Sequence, residues 1–296
     1  MNDLLEQRLR RLQLRCKRPV SHLLAGEYRS IFKGNGIEFD DVREYTYGDD
    51  VRAIDWKVTA RTGTPHIKRY IEEREQAFII MLDISASTSF GGQERAKVDA
   101  ARELCALMAW SAAHSKNRVG LILFSDRVEH SVPPARGRNH VMRIVSDLLE
   151  TQPKGQGTDL RVALEFAGEV VRKRSVFFVI SDFLAEGYEQ SLQILAQRHD
   201  LTAVCVQHVL EQELPVLGMV HCQDMENGRQ QWVDLGNESA RQRYQDRAQA
   251  RARELAETCA AANIGHIPLT SDSDCVAALV SYFQERHRRV ADETGG

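Results

Sequence analysis

The polarity pattern changes character at residue 77. Downstream of it, short unbroken apolar runs alternate with stretches of helical period. Phe78–Leu82, Arg118–Phe124, Ser175–Ile180 and Leu201–His208 read as strands, because each is short and rich in Val, Ile, Leu or Phe. Glu94–Ala113 reads as a helix with Leu104, Leu107 and Met108 toward a core, and His140–Leu149, Leu160–Arg172 and Tyr188–Arg198 read as three more. Arg127–Ser131 is the expected hairpin partner of the second strand, with Ser125-Asp126 at the turn. A short strand at Gly265–Pro268 and a helix from Asp274 to Arg289, opened by Ser271-Asp272-Ser273-Asp274, complete the series. Strands that are apolar throughout must be covered on both faces. The expected class is therefore α/β, with a doubly wound, mostly parallel sheet.

Three stretches depart from that rhythm. Residues 4–18 carry Leu4, Leu5, Leu9 and Leu12 near helical spacing with arginines between, an amphipathic helix with a basic face. Residues 26–75 are rich in glycine, charge and aromatics and show turn signals at Gly34-Asn35-Gly36 and Gly48-Asp49-Asp50. They predict an irregular segment of short strands lying on the main domain. Residues 218–235 place Asn227-Gly228 between two strand-like runs, which predicts an inserted hairpin. A long polar helix over 239–262 follows, capped by Asn237 or Ser239. The expected division is an extension over 1–75, a main domain over 76–290 and a frayed tail over 291–296.

Composition narrows the class without naming a chemistry. The 296 residues are 43% hydrophobic and 27% charged, enough for a sizeable core. A net charge of −3 provides no global field to recruit nucleic acid. The six cysteines (Cys16, Cys105, Cys205, Cys222, Cys259 and Cys275) form no CxxC pair, which suggests reduced thiols. The first residues are charged and lack the apolar core of an export signal, and no run approaches the ~20 apolar residues of a membrane span. A soluble, cytoplasmic protein is the expectation.

The chemistry lies where strands end. In a doubly wound sheet, ligands bind beyond the carboxyl ends of strands, where strand order reverses. Asp83, Ser85 and Ser87 follow the first buried strand, Thr158 and Asp159 open the Leu160 helix, and Ser181 and Asp182 follow the Ser175–Ile180 strand. All are hard oxygen donors, the set that suits a divalent cation with octahedral preference near ~2.1 Å. Two carboxylates among Asp83, Ser85, Ser87, Thr158 and Asp182 favour Mg²⁺ over a high-affinity Ca²⁺ site, with Mn²⁺ or Ca²⁺ as alternatives. An outside carboxylate could complete the shell. Each piece also has a local explanation: Asp83 as the end of a strand, Ser85 and Ser87 as a turn or the cap of the next helix, Thr158 as a helix cap, Asp182 as an Asx turn.

The enzymatic alternative is a phosphatase-like hydrolase using Asp83 as nucleophile. Such an enzyme needs an acid two residues on, and Ser85 stands there. The chain has no GxSxG elbow, no phosphate loop ending in Gly-Lys-Ser/Thr and no HExxH helix.

Taken together, Asp83-x-Ser85-x-Ser87, the later Gly157-Thr158-Asp159-Leu160 and Ser181-Asp182 resemble the von Willebrand factor A domain and its metal-ion-dependent adhesion site. The upstream block narrows the resemblance. Glu38-Phe39, Arg43-Glu44-Tyr45, Tyr47-Gly48-Asp49-Asp50, Arg52, Ile54-Asp55-Trp56 and Ala60-Arg61 are similar to the family called domain of unknown function fifty-eight (DUF58). The likeness runs from about residue 26 to 290. It implies a bacterial protein encoded beside a MoxR-type AAA+ ATPase. Such a protein acts as a non-enzymatic adaptor or co-chaperone of that ATPase in assembling or activating client proteins. It further implies a divalent metal at Asp83, Ser85, Ser87, Thr158 and Asp182, with the hydroxyls coordinating directly, the aspartates often through water, and a partner's Asp or Glu filling the open position. The charges of the Gly48–Arg61 block around Trp56 have two readings: a network pinning the extension to the domain, which is the expectation, or a surface for the ATPase.

Overall fold

The computed structural model describes residues 37–72, 77–91, 96–115, 117–155, 157–226 and 228–294. The basic helix expected over 4–18 and the Gly34-Asn35-Gly36 turn lie outside the described residues, as does Asn227 of the expected hairpin turn.

Two antiparallel strands, β1 (Ile37–Glu44) and β2 (His66–Glu72), enclose a short helix, α1 (Trp56–Thr62). The sequence predicted no helix here, since Trp-Lys-Val-Thr-Ala-Arg-Thr has no apolar stripe. Capping decides instead: Asp55 Oδ1 accepts from the backbone N–H groups of Lys57 and Val58, and Gly63 closes the helix at φ 80° in the left-handed region. The described charge pairs close within the segment. Arg43 donates to both oxygens of Asp49 at 2.8 Å, Asp50 caps its own turn through Arg52 N–H, and Trp56 is 69% exposed rather than enclosed by charge. These bonds shape the segment itself.

The main sheet has six strands in the order β10-β7-β6-β3-β4-β5. They are β3 (Ala77–Asp83), β4 (Arg118–Phe124), β5 (Val128–Ala135), β6 (Val176–Ser181), β7 (Asp200–Gln207) and β10 (Gly265–Thr270). All neighbours run parallel except β5, which pairs antiparallel with β4 at one edge. β5 runs four residues past the expected end at Ser131, through Pro133 and Pro134. Proline looks like a strand breaker in sequence, but an edge strand has one side free of ladder bonds and tolerates it.

Alternation along β3 divides the core. Phe78, Ile80 and Leu82 pack with Leu104, Leu107 and Met108 of α2 (Lys97–His114), with α3 (Arg138–Glu150) and with Leu279 and Phe283 of α8 (Cys275–Thr294). Ile79 and Met81 face the opposite layer, built from α4 (Leu160–Val170), α5 (Glu189–Arg198) and α7 (Glu238–Ala261). Three helices per face cover strands that are apolar on both sides, as the unbroken runs require. A one-turn helix, α6 (Val209–Gln212), follows β7. Then come β8 (Met219–Gln223) and β9 (Gln230–Asp234), which pair antiparallel as the inserted hairpin. The last helix continues to Thr294, past the residue 290 boundary expected for a frayed tail.

β3 sits between β4 on one side and β6 on the other, so strand order reverses there. The carboxyl ends of β3 and β6 are thus the switch point where a doubly wound sheet opens a ligand crevice.

Candidate functional site at the switch point

Asp83 is the last residue of β3 and is fully buried. The next N–H, from Ile84, bonds Phe124 O at 2.8 Å, and the chain then leaves the sheet. Asp83 Oδ1 accepts from Ser85 N–H at 2.9 Å, a local Asx-type turn. Ser85 O in turn accepts from Thr88 N–H at 3.2 Å and Thr88 Oγ1–H at 2.7 Å, coiling Ala86–Ser89 into a 3₁₀ turn. That coil brings the hydroxyl oxygens of Ser85 and Ser87 to 3.1 Å. From the neighbouring strand, Ser181 Oγ–H donates to Asp83 Oδ2 at 2.7 Å. Phe183, just beyond Asp182, is one of two described non-glycine residues in the left-handed region, at φ 53°. It is held by its N–H to Ser181 Oγ at 3.1 Å and by its ring against Tyr188, with centroids 5.6 Å apart.

The electrostatics are concentrated and buried. Burial pushes the Asp83 carboxyl well above the usual carboxylate range; the Asp182 charge pushes the same way, and the bonds from Ser85 and Ser181 oppose both. Lys97, in the first turn of α2, is 1% exposed, and its ammonium donates to Asp182 Oδ2 at 2.8 Å and Glu211 Oε1 at 2.6 Å. Burial disfavours that ammonium, but Asp182 and Glu211 outweigh it and its pKa is raised. Three carboxyl groups, Asp83, Asp182 and Glu211, thus face one ammonium in the cluster, an acidic excess that a divalent cation would offset.

Thr158 lies on a third loop, anchored at the end of β4. Glu129 Oε1 accepts from the N–H groups of Lys154 and Gly155 at 2.9 and 2.7 Å, and Asp159 N–H bonds Ser125 O at 3.0 Å. Ser125 directly follows Phe124, the register partner of Asp83, so the loop lies across the ends of β4 and β3. Asp159 caps α4 through Arg161 N–H at 2.9 Å, which leaves Thr158 free of the capping duty the sequence allowed it. Its hydroxyl instead donates to Glu226 Oε1 at 2.6 Å.

The structure thus joins Asp83, Ser85 and Ser87 in one hydrogen-bonded turn, with Ser181 tied to it. It sets Asp182 beside them, close enough to raise Asp83, and ties the loop that carries Thr158 to the adjacent end of β4 through Asp159 N–H and Ser125 O. Adjacent oxygens on an octahedral shell of ~2.1 Å radius lie roughly 3.0 Å apart, and the 3.1 Å between Ser85 and Ser87 matches that spacing. Among the described residues, no three His, Cys, Asp or Glu side chains converge as a metal group. The donor set is hydroxyl-rich and all-oxygen, and it fits a hard ion of the Mg²⁺ type better than a thiolate- or imidazole-bound one. As a phosphatase nucleophile Asp83 fits poorly: it is buried, both oxygens accept hydrogen bonds, and Ser85 replaces the needed acid.

Sequence reasoning missed Lys97, Glu211 and Glu226. Glu211 had a readable signal, since His208 and Glu211 form a capping box on α6, with His208 N–H bonding Glu211 Oε2 at 2.9 Å. Lys97 and Glu226 had none, because their partners lie 85 and 68 residues away in sequence.

A doubly wound sheet with one antiparallel edge strand, three helices on each face, and Asp-x-Ser-x-Ser at the switch point is the layout that the resemblance to the von Willebrand factor A domain implies. The chain belongs to the family described as protein of unknown function DUF58, whose model matches residues 41–254. It is 31% identical over 284 residues to the uncharacterized protein Rv1480 of Mycobacterium tuberculosis, covering 95% of this chain and 89% of that protein. Among solved structures it is similar to conserved hypothetical protein BatB from Bacteroides thetaiotaomicron, with 18% identity, a TM-score of 0.46, and coverage of 72% of this chain and 99% of that one. A second similarity is to the SpRpn10 VWA domain, with 14% identity, a TM-score of 0.38, and coverage of 69% and 93%. Among the described residues, no helix is long and apolar enough to cross a membrane.

Proposed function

We propose that this protein is a divalent-metal-dependent protein-binding module, non-enzymatic, in which Asp83, Ser85, Ser87, Thr158 and Asp182 hold the ion. The observation that carries the reading is the buried turn in which Asp83 organises Ser85 and Ser87 at octahedral spacing beside the Asp182 carboxylate. Mg²⁺ is the favoured ion. Bound there, it would supply a Lewis-acidic position to which a carboxylate of a protein partner binds. The chain's own residues orient the hydroxyls, exclude water from the Asp83 side and balance charge through Lys97. The family resemblance makes a MoxR-type AAA+ ATPase the proposed partner, with the module acting as its adaptor in the assembly or activation of a client protein, in the cytoplasm.

Manganese titration of the full chain, followed by the resonance of free Mn²⁺, tests the metal. One site in the wild type, lost in Asp83→Ala with the fold intact by circular dichroism, is expected; equal binding by both would remove the site. Capture of the ATPase with and without EDTA tests the partner. Capture insensitive to EDTA and to Asp83→Ala would refute the metal bridge.

A further inference from the structure

We infer that Glu226, at the tip of the β8–β9 hairpin, is an internal ligand of this metal site, taking the position otherwise open to a partner's carboxylate. The inference rests on the metal reading above and goes beyond it, because it makes the hairpin part of the site.

Three observations place it. The Thr158 hydroxyl and Glu226 Oε1 are 2.6 Å apart, so any ion that Thr158 coordinates also lies within reach of that carboxylate. The hairpin tip is aimed by its own bonds: Asp224 Oδ1 accepts from Glu226 N–H at 2.9 Å, Asp224 O from Gly228 N–H at 3.0 Å, and Asp224 N–H donates to Arg229 O at 2.9 Å. The strands carrying the tip lie at the surface, with Met219 60% and Trp232 66% exposed.

The chemistry is that of ligand completion. Asp83, Ser85, Ser87, Thr158 and Asp182 provide at most five positions, and an octahedral ion has a sixth. A carboxylate already hydrogen-bonded to one ligand is the group best placed to fill it. With an ion bound, the Thr158 hydroxyl oxygen would be a ligand and Glu226 would exchange its hydrogen bond for a coordinate one. A partner's Asp or Glu then reaches the ion only by displacing Glu226, and the hairpin competes with the partner.

The test uses the full chain with Mn²⁺ as probe, comparing wild type, Glu226→Ala, Glu226→Gln and Asp83→Ala. Mn²⁺ affinity is read from the free-ion resonance, and inner-shell water from the water-proton relaxation of the bound ion. Glu226→Ala should weaken Mn²⁺ on the order of tenfold and raise the relaxation by one exchangeable water. Acetate should lower that relaxation in Glu226→Ala but not in wild type. Glu226→Gln, isosteric but uncharged, should weaken Mn²⁺ in the same direction, and all three Glu226 forms should melt together because the side chain is exposed. Equal affinity and relaxation in wild type and Glu226→Ala, with binding still lost in Asp83→Ala, would overturn the internal ligand alone. Tighter Mn²⁺ binding by Glu226→Ala would overturn it too, making Glu226 a latch on Thr158 rather than a ligand. No Mn²⁺ binding by wild type would overturn this inference together with the metal reading.

Discussion

Lys97→Met is the sharpest perturbation available, because methionine keeps the length and apolar stem of the side chain and removes only its charge. In the wild type the ammonium is 1% exposed and bonded to two carboxylates, Asp182 at 2.8 Å and Glu211 at 2.6 Å, with the Phe90 ring centroid at 5.9 Å. Deleting it leaves Asp182, whose side chain is 2% exposed, next to Asp83 without compensating charge. Removing one member of a buried pair costs roughly 3–5 kcal/mol, most of it the uncompensated partner. In a domain of this size that lowers the melting temperature by roughly 6–20 °C. The same deletion makes the cluster one charge more negative, so a divalent cation should stabilise it more. Melts of wild type and variant in EDTA, and again in millimolar Mg²⁺, read both effects. The expected result is a large deficit in EDTA that shrinks in Mg²⁺. Adding Asp182→Asn to Lys97→Met in EDTA should return part of the loss. A deficit under about 1 kcal/mol in EDTA would refute the account, since it would mean the buried charges are not coupled.

Further outcomes follow from other parts of the fold. Gly155→Ala drives a Cβ into the Asp126 and Ser125 side chains, so those side chains or the loop carrying Thr158 must shift; Mn²⁺ affinity should fall more than the melting temperature does, and unchanged affinity would separate Thr158 from the site. His199 is buried against Phe177, and burial, with Arg198 and Arg174, lowers its pKa to about 4. The unfolded chain therefore takes up the proton first as pH falls below about 6.5, and stability drops by about 3 kcal/mol between there and pH 4; urea melts across that range should show the loss, and His199→Phe should flatten it. Asp55→Ala removes the cap of α1 at a cost of about 1 kcal/mol and should leave Mn²⁺ affinity unchanged; a normal melt with lost capture of the ATPase would instead make the Gly48–Arg61 block a binding surface.

Which features were legible in the sequence follows from the range of the forces involved. Burial on both faces leaves an unbroken apolar run, so β3, β4, β6 and β7 announced themselves within a residue or two and with them the parallel sheet. Asn227-Gly228 marked the inserted hairpin because its turn chemistry is local. Asp83, Ser85 and Ser87 were legible because the turn that joins them spans five residues, and its organising bond, Ser85 N–H to Asp83 Oδ1, spans two. The α1 helix was not, since a two-bond cap rather than an apolar stripe sustains it. The full length of β5, through Pro133 and Pro134, was not legible either: whether a strand lies at an edge is a property of the sheet, not of the strand.

By itself, then, the sequence determined the α/β class, the strand ends and the oxygen donors waiting there, because periodicity, turn chemistry and donor type are written into neighbouring residues. Only the tertiary structure decided what those donors face. It put the Lys97 ammonium between Asp182 and Glu211, tied Ser181 to Asp83, and brought Glu226 of the hairpin to Thr158. Those contacts join groups far apart in the chain, and their energies come from burial and from charges a few ångströms apart, quantities that exist only once the sheet has closed.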